Sequence, residues 1–78
     1  MVNVKYFGAI AEKTKLQGEA IPCSDLSLQE LLDGLSQKYD LVSLSFSIAV
    51  NQKIVQDTQN YMLISNDVVA LLPPFAGG

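Results

Sequence analysis

Hydrophobic residues open the chain on alternate positions: Val2, Val4 and Tyr6 interleave with Asn3, Lys5 and Phe7. This period of two predicts a strand with one buried face, closed where Phe7 meets Gly8. Ala9 to Lys13 are compatible with a single helical turn, and the polar run Lys15-Leu16-Gln17-Gly18 follows, with Gly18 marking a reversal. Glu19-Ala20-Ile21-Pro22 reads as a short second strand that pairs with the first as a β-hairpin. Pro22 closes it because proline cannot donate to a ladder.

The period then lengthens. Leu28, Leu31, Leu32 and Leu35 recur at i, i+3, i+4 and i+7, an apolar helical stripe from which Gln29, Glu30, Asp33 and Lys38 face away. Ser27-Leu28-Gln29-Glu30 fits a capping box, with Leu26 and Leu31 placed as its hydrophobic staple, so the helix is expected to start at Leu28 and end near Tyr39. Gly34 interrupts it at a cost of about 1 kcal/mol relative to alanine, tolerable where close approach to a neighbour compensates.

Alternation returns at Phe46, Ile48 and Val50, interleaved with Ser47 and Ala49. Asn51-Gln52 can turn the chain into Lys53-Ile54-Val55, and Gln56 to Asn60 form a polar loop. Tyr61 to Ile64 lead to a tight turn at Ser65-Asn66-Asp67, with Asn66 at positive φ. Val68 to Leu72 form an apolar last strand, expected to be buried and central. Two strands, a helix and further strands predict an α+β β-grasp: a mixed sheet with one main helix packed on one face.

Seventy-eight residues make one domain that buries only about 60 to 65% of its unfolded surface, leaving little room for an internal active site. The composition is 49% hydrophobic and 17% charged, which excludes disorder and leaves apolar surface for a partner. The net charge is −3, and its five basic residues are lysines that cluster no further than Lys13 and Lys15, so nucleic-acid binding is excluded. With no histidine and one cysteine, the chain lacks the usual proton-transfer side chain, an internal disulfide and a Cys-rich metal site. No basic leader and no stretch of transmembrane length are present, so the expectation is a cytoplasmic protein with no membrane partner.

The chemistry-bearing stretch is the last one, Leu71-Leu72-Pro73-Pro74-Phe75-Ala76-Gly77-Gly78. Pro73 and Pro74 predict a short stiff stem, and the two glycines a thin flexible backbone that passes where side chains cannot. Phe75 to Gly78 span at most roughly 13 Å, the depth of an active-site cleft. The division expected is a domain over 1–74 and a flexible tail over 75–78. A terminal carboxylate, with a pKa of about 3.3 to 3.7, is ionised and a poor electrophile until activated. Acyl-adenylate formation with ATP supplies a leaving group, after which a sulfur donor leaves a thiocarboxylate or a lysine an isopeptide. A bare Gly-Gly is equally compatible with an idle end; the whole Pro-Pro-Phe-Ala-Gly-Gly string favours the chemical reading.

The chain resembles the ubiquitin-like sulfur carriers of the MoaD and ThiS family, and most closely the molybdopterin synthase small subunits. The resemblance rests on Val4-Lys5-Tyr6-Phe7 running into Ala9 to Glu12, on Ala49-Val50-Asn51, and on Asn66-Asp67-Val68-Val69-Ala70 leading to Pro73-Pro74 and Gly77-Gly78. Asn66 stands where the family often has glycine, and Val68 where it often has glutamate. What the resemblance implies is adenylation of Gly78 by a MoeB-like, ubiquitin-activating-like adenylyltransferase that consumes ATP. A sulfur donor protein then forms the thiocarboxylate. The tail would next enter a MoaE-like large subunit, in a heterotetramer of two small and two large subunits, and give its sulfur to cyclic pyranopterin monophosphate. Gly77 would thread the constriction, and Phe75, Pro73, Pro74, Leu72 and Ala76, with Leu71, would supply docking contacts. No permanently bound cofactor is implied, and the chain would not be catalytic alone.

Three other functions stand beside this one: a thiazole sulfur carrier of thiamine synthesis, which shares the Gly-Gly chemistry but usually lacks the Pro-Pro stem, a ubiquitin-related tag or tRNA-thiolation carrier, and a non-catalytic interaction module whose tail is incidental. Cys23 reads as a packing residue. Asp25, Glu30 and Asp33 read as a solvated acidic face at the positive end of the helix dipole, and Lys53 as exposed.

Overall fold

The computed structural model describes residues 1–22, 26–41 and 46–72. In chain order its elements are β1 (Val2–Tyr6), α1 (Gly8–Thr14), β2 (Gly18–Ile21), α2 (Leu28–Tyr39), β3 (Ser47–Val50), β4 (Lys53–Ile54) and β5 (Val68–Leu72). The strands form one sheet in the order β2-β1-β5-β3-β4. β1 runs antiparallel to β2 and parallel to β5, while β3 runs antiparallel to β4 and β5, so the sheet is mixed and β5 is central. The stem and tail at 73–78 and Cys23 lie outside the described residues.

The alternation in β1 is realised: Val2, Val4 and Tyr6 are buried, and Asn3 and Lys5 are exposed. Val69 and Leu71 of β5 and Ile48 and Val50 of β3 face the same side, where they join the leucine stripe of α2 with Leu41 and Leu63 in one core. Burying each such side chain contributes about 1.5 to 3 kcal/mol, which makes the sheet and α2 interdependent. Leu71 is fully buried, so it is a core residue and not the docking residue anticipated beside the tail. Ala49 is also buried although it faces the other side, between Ala70 and Ile54 in register.

The α2 N-terminus is fully capped. Ser27 accepts from the Glu30 N–H at 3.1 Å while the Glu30 carboxylate accepts from the Ser27 N–H at 3.3 Å. The remaining first-turn donors, Leu28 and Gln29 N–H, reach the Tyr61 and Thr58 carbonyls of the 56–60 loop and its exit at 2.8 and 3.1 Å. All the orphan N–H groups of this end are therefore engaged, and the loop is pinned to the helix. At the other end Asp40 takes the left-handed conformation and the Leu41 N–H returns to Ser36 O at 3.1 Å, with Leu41 buried beneath. Gly34 has no neighbour within 4 Å of where a Cβ would lie, so among the described residues close approach does not compensate its helical cost.

Gly8 closes the first strand as the sequence predicts, whereas α1 is longer than expected and Gly18 plays a different part. Gly8, at φ 59°, turns β1 into α1, which runs for seven residues and not one turn. Gly18 lies inside β2 opposite Lys5, and the reversal falls at Lys15, at φ 62°. A Cβ on Gly18 would stand 2.6 Å from the Val4 carbonyl oxygen, so close strand approach requires the glycine.

Asn51 and Gln52, at φ 51° and 72°, make the two-residue turn between β3 and β4, of the handedness that suits twisted strands. Asn51 also fastens this turn to the start of β5. Its Nδ2 donates to Asp67 Oδ1 at 3.0 Å and its Oδ1 accepts from the Val68 N–H at 3.0 Å. Asp67 is buried, and its second carboxylate oxygen accepts from the Ile64 N–H at 2.9 Å. Asn66, at φ 73°, completes the turn and donates to the Met1 carbonyl. Asn51→Ala removes two hydrogen bonds, one to a buried carboxylate, and puts a Cβ-bearing residue without a local polar partner at positive φ. Urea unfolding is expected to show a loss of about 2 to 3 kcal/mol.

Candidate functional site

The site is organised by the end of β5. Register places Leu72 beside Ser47, and Leu71 between Tyr6 and Ile48, so the chain leaves the centre of the sheet next to the Phe7-Gly8 bend. Strand parity turns Val68, Ala70 and Leu72 away from α2, together with Lys5 of β1, Ala49 of β3 and Ile54 of β4. These residues line a shallow groove that Phe7 borders, running back from the Leu72 end across the uncovered face of the sheet. Phe7 is 43% exposed and Ile54 51%, which is the apolar surplus expected from composition. Of the predicted site residues, Leu72 is half-buried on this face, and Pro73, Pro74, Phe75, Ala76, Gly77 and Gly78 lie outside the described residues.

The strongest perturbation of titratable groups lies on the other face. Tyr6 and Tyr39 hydroxyls both donate to Glu19 Oε2, at 2.5 and 2.6 Å, and Lys38 Nζ stands 3.6 Å from Glu19 Oε1. The two rings meet edge to face at 6.0 Å. Hydroxyl donation from Tyr39 and Tyr6 holds the Glu19 carboxyl below the usual carboxylate range. Burial, then the Glu19 hydrogen bond and charge, push the Tyr6 hydroxyl far above its ordinary value. Perturbed groups in a cleft can mark catalysis. Here the donors and the carboxylate satisfy one another, and the cluster links β1, β2 and α2, so its work is structural. Sequence reading passed over it, although Glu19 shares strand parity with Ile21 and so turns inward.

Among the described residues, no three His, Cys, Asp or Glu side chains gather as a metal site. Glu30 serves the cap, its side chain exposed, and Asp33 accepts from Gln29 Nε2 at 2.9 Å, also exposed. Lys53 is exposed as well. No described helix is long and apolar enough to cross a membrane.

The ThiS family model matches residues 4–78, which includes the terminal Gly77-Gly78. The chain belongs to the ThiS family. A Pyrococcus furiosus protein provisionally assigned as molybdopterin converting factor, subunit 1, superposes with a TM-score of 0.84 at 22% identity, over 95% of this chain and 97% of that one. A chain from the complex of subunits 1 and 2 of molybdopterin-converting factor from Helicobacter pylori is 32% identical, with a TM-score of 0.71 over 99% and 97% of the two chains. Small archaeal modifier protein 1 from Haloferax volcanii gives a TM-score of 0.78 at 20% identity, over 99% and 98%. The architecture is therefore the ubiquitin-like β-grasp of the ThiS and MoaD type of sulfur carrier.

The Glu19 cluster makes stability depend on pH with a definite sign. Its folded pKa is depressed, so its contribution is present above the unfolded carboxylate range and is lost as pH falls through the folded value. Glu19→Gln is expected to cost about 1 to 2 kcal/mol at neutral pH. Urea titrations repeated at descending pH should show the gap between the two proteins narrowing as the wild-type carboxylate protonates.

Proposed function

We propose that this protein is the sulfur-carrying small subunit of a molybdopterin synthase. The observation that carries this reading is a family match running to Gly78, together with the 32% identity to a chain from a molybdopterin-converting factor complex. The described domain supports it by what its side chains do. Its one strongly coupled polar cluster is tied up in structure, leaving the terminal carboxylate as the reactive group.

In this reading the Gly78 carboxylate attacks the α-phosphorus of ATP on an adenylyltransferase and releases pyrophosphate. Sulfide-level sulfur supplied by a donor protein then adds at the acyl carbon and expels AMP, leaving the thiocarboxylate; sulfur delivered as a persulfide gives an acyl disulfide that a thiol reductant cleaves to the same product. The β-grasp domain presents Leu72, Ala70, Phe7 and Ile54 to the large subunit. From that seat Pro73 and Pro74 direct Phe75, Ala76, Gly77 and Gly78 into the large subunit's active site, where sulfur passes to cyclic pyranopterin monophosphate. Two small and two large subunits assemble. The carrier needs no acid or base of its own because the activated acyl group and the partner supply the chemistry.

Intact mass after incubation with ATP, a sulfur donor and the host's adenylyltransferase tests the first half. One oxygen exchanged for sulfur is expected in the full-length protein and not in a form lacking Gly78, whose melting temperature stays the same. Retained exchange without Gly78 would sink the terminal-carboxylate mechanism, and isopeptide-linked products in place of exchange would favour the protein-modifier function. Ile54→Arg tests the docking face: affinity for the large subunit should fall about tenfold or more while thermal stability stays within about 0.5 kcal/mol.

A further inference from the structure

Among the described residues, the sheet face turned away from α2 carries a single charge by strand parity. Lys5 is exposed on β1, beside the central strand, and every other outward strand position is apolar, a glycine or an uncharged polar residue. None is acidic, although the chain has eight Asp and Glu against five Lys. Glu19, on the adjacent strand, turns to the opposite face and is held there by Tyr6 and Tyr39. The ion pairs among the described residues use Lys13 and Lys38, and Lys5 takes part in neither. In register, Lys5 lies between Gly18 and Ala70, so its ammonium rises from a low floor that an approaching surface can reach from either side. An acidic protein thus presents a locally basic, otherwise uncharged and largely apolar face beside its last strand.

We infer that Lys5 determines which partner seats on this face, and that the partner is a protein whose apolar docking patch carries one carboxylate opposite Lys5. The inference rests on the docking reading above and adds the charge that selects the partner. An ammonium closed between two apolar surfaces loses its hydration with nothing returned, so a wholly apolar patch would strand it. A basic patch would repel it. A carboxylate within hydrogen-bond distance offsets the desolvation and rejects surfaces that lack it.

The test measures affinity between the full-length protein and the large subunit of its host's molybdopterin synthase by calorimetry, at low and high salt. Lys5→Met keeps the aliphatic stem and leaves the partner's carboxylate unpaired, and is expected to weaken binding about tenfold or more, with Lys5→Glu weaker again. Among variants of the large subunit's surface Asp and Glu residues changed to Lys, one should restore affinity to Lys5→Glu, a rescue that requires a folded Lys5→Glu chain. Lys5→Met binding within about twofold of wild type, or tighter, overturns the inference. If Ile54→Arg weakens binding in the same experiment, only the role of Lys5 has failed. If the wild-type protein does not bind, or Ile54→Arg is also neutral, the docking reading falls and this inference with it.

Discussion

The parallel pairing of β1 with β5 is the constraint on which the rest of the molecule depends. Parallel neighbours cannot be joined by a tight turn, so everything between Tyr6 and Val68 serves as connection, and α2 must cross one face of the sheet. The pairing buries Val69 and Leu71 completely against Val4, Tyr6 and the leucines of α2. It also decides where the chain leaves the domain. With β5 in the middle of five strands, Leu72 ends at the centre of the sheet and not at an edge.

Around that apolar core, hydrogen-bonded polar groups do a second kind of work. Asn51 and Asp67 tie the β3–β4 turn to the start of β5, and Glu19 ties β1, β2 and α2 together through the hydroxyls of Tyr6 and Tyr39. Apolar packing is tolerant of small sliding, whereas hydrogen bonds with fixed partners are not, so these contacts hold the register that the core alone leaves loose. Asn51 and Asp67 stand among the residues that carried the family resemblance. Their geometry gives that resemblance a structural cause: they position the last strand.

A carrier is asked for little chemistry and much presentation. Among the described residues, one face of the sheet is committed to the core and the other is largely apolar, with a single lysine, beside the end of β5. Separating the two faces lets the domain keep its stability while leaving an exposed, largely apolar surface. The reactive group proposed above belongs to the Gly-Gly end of the sequence, apart from the side chains of the described domain.

The sequence by itself determined the local elements, because each depended on interactions within a few residues. The period of β1, the leucine stripe and capping box of α2, the Asn51-Gln52 turn and the positive φ of Asn66 all follow from neighbours along the chain. The mixed sheet followed from the order of those elements. Only the tertiary structure decided matters that depend on residues distant in sequence. Gly18 is needed for approach to Val4 and not for a turn, Leu71 belongs to the core and not to the docking contacts, and Glu19 lies between two tyrosines from different elements. The isolation of Lys5 on the uncovered face is of the same kind. It appears when β2 and β5 are laid in register beside β1, because a charge is alone only with respect to the strands that surround it.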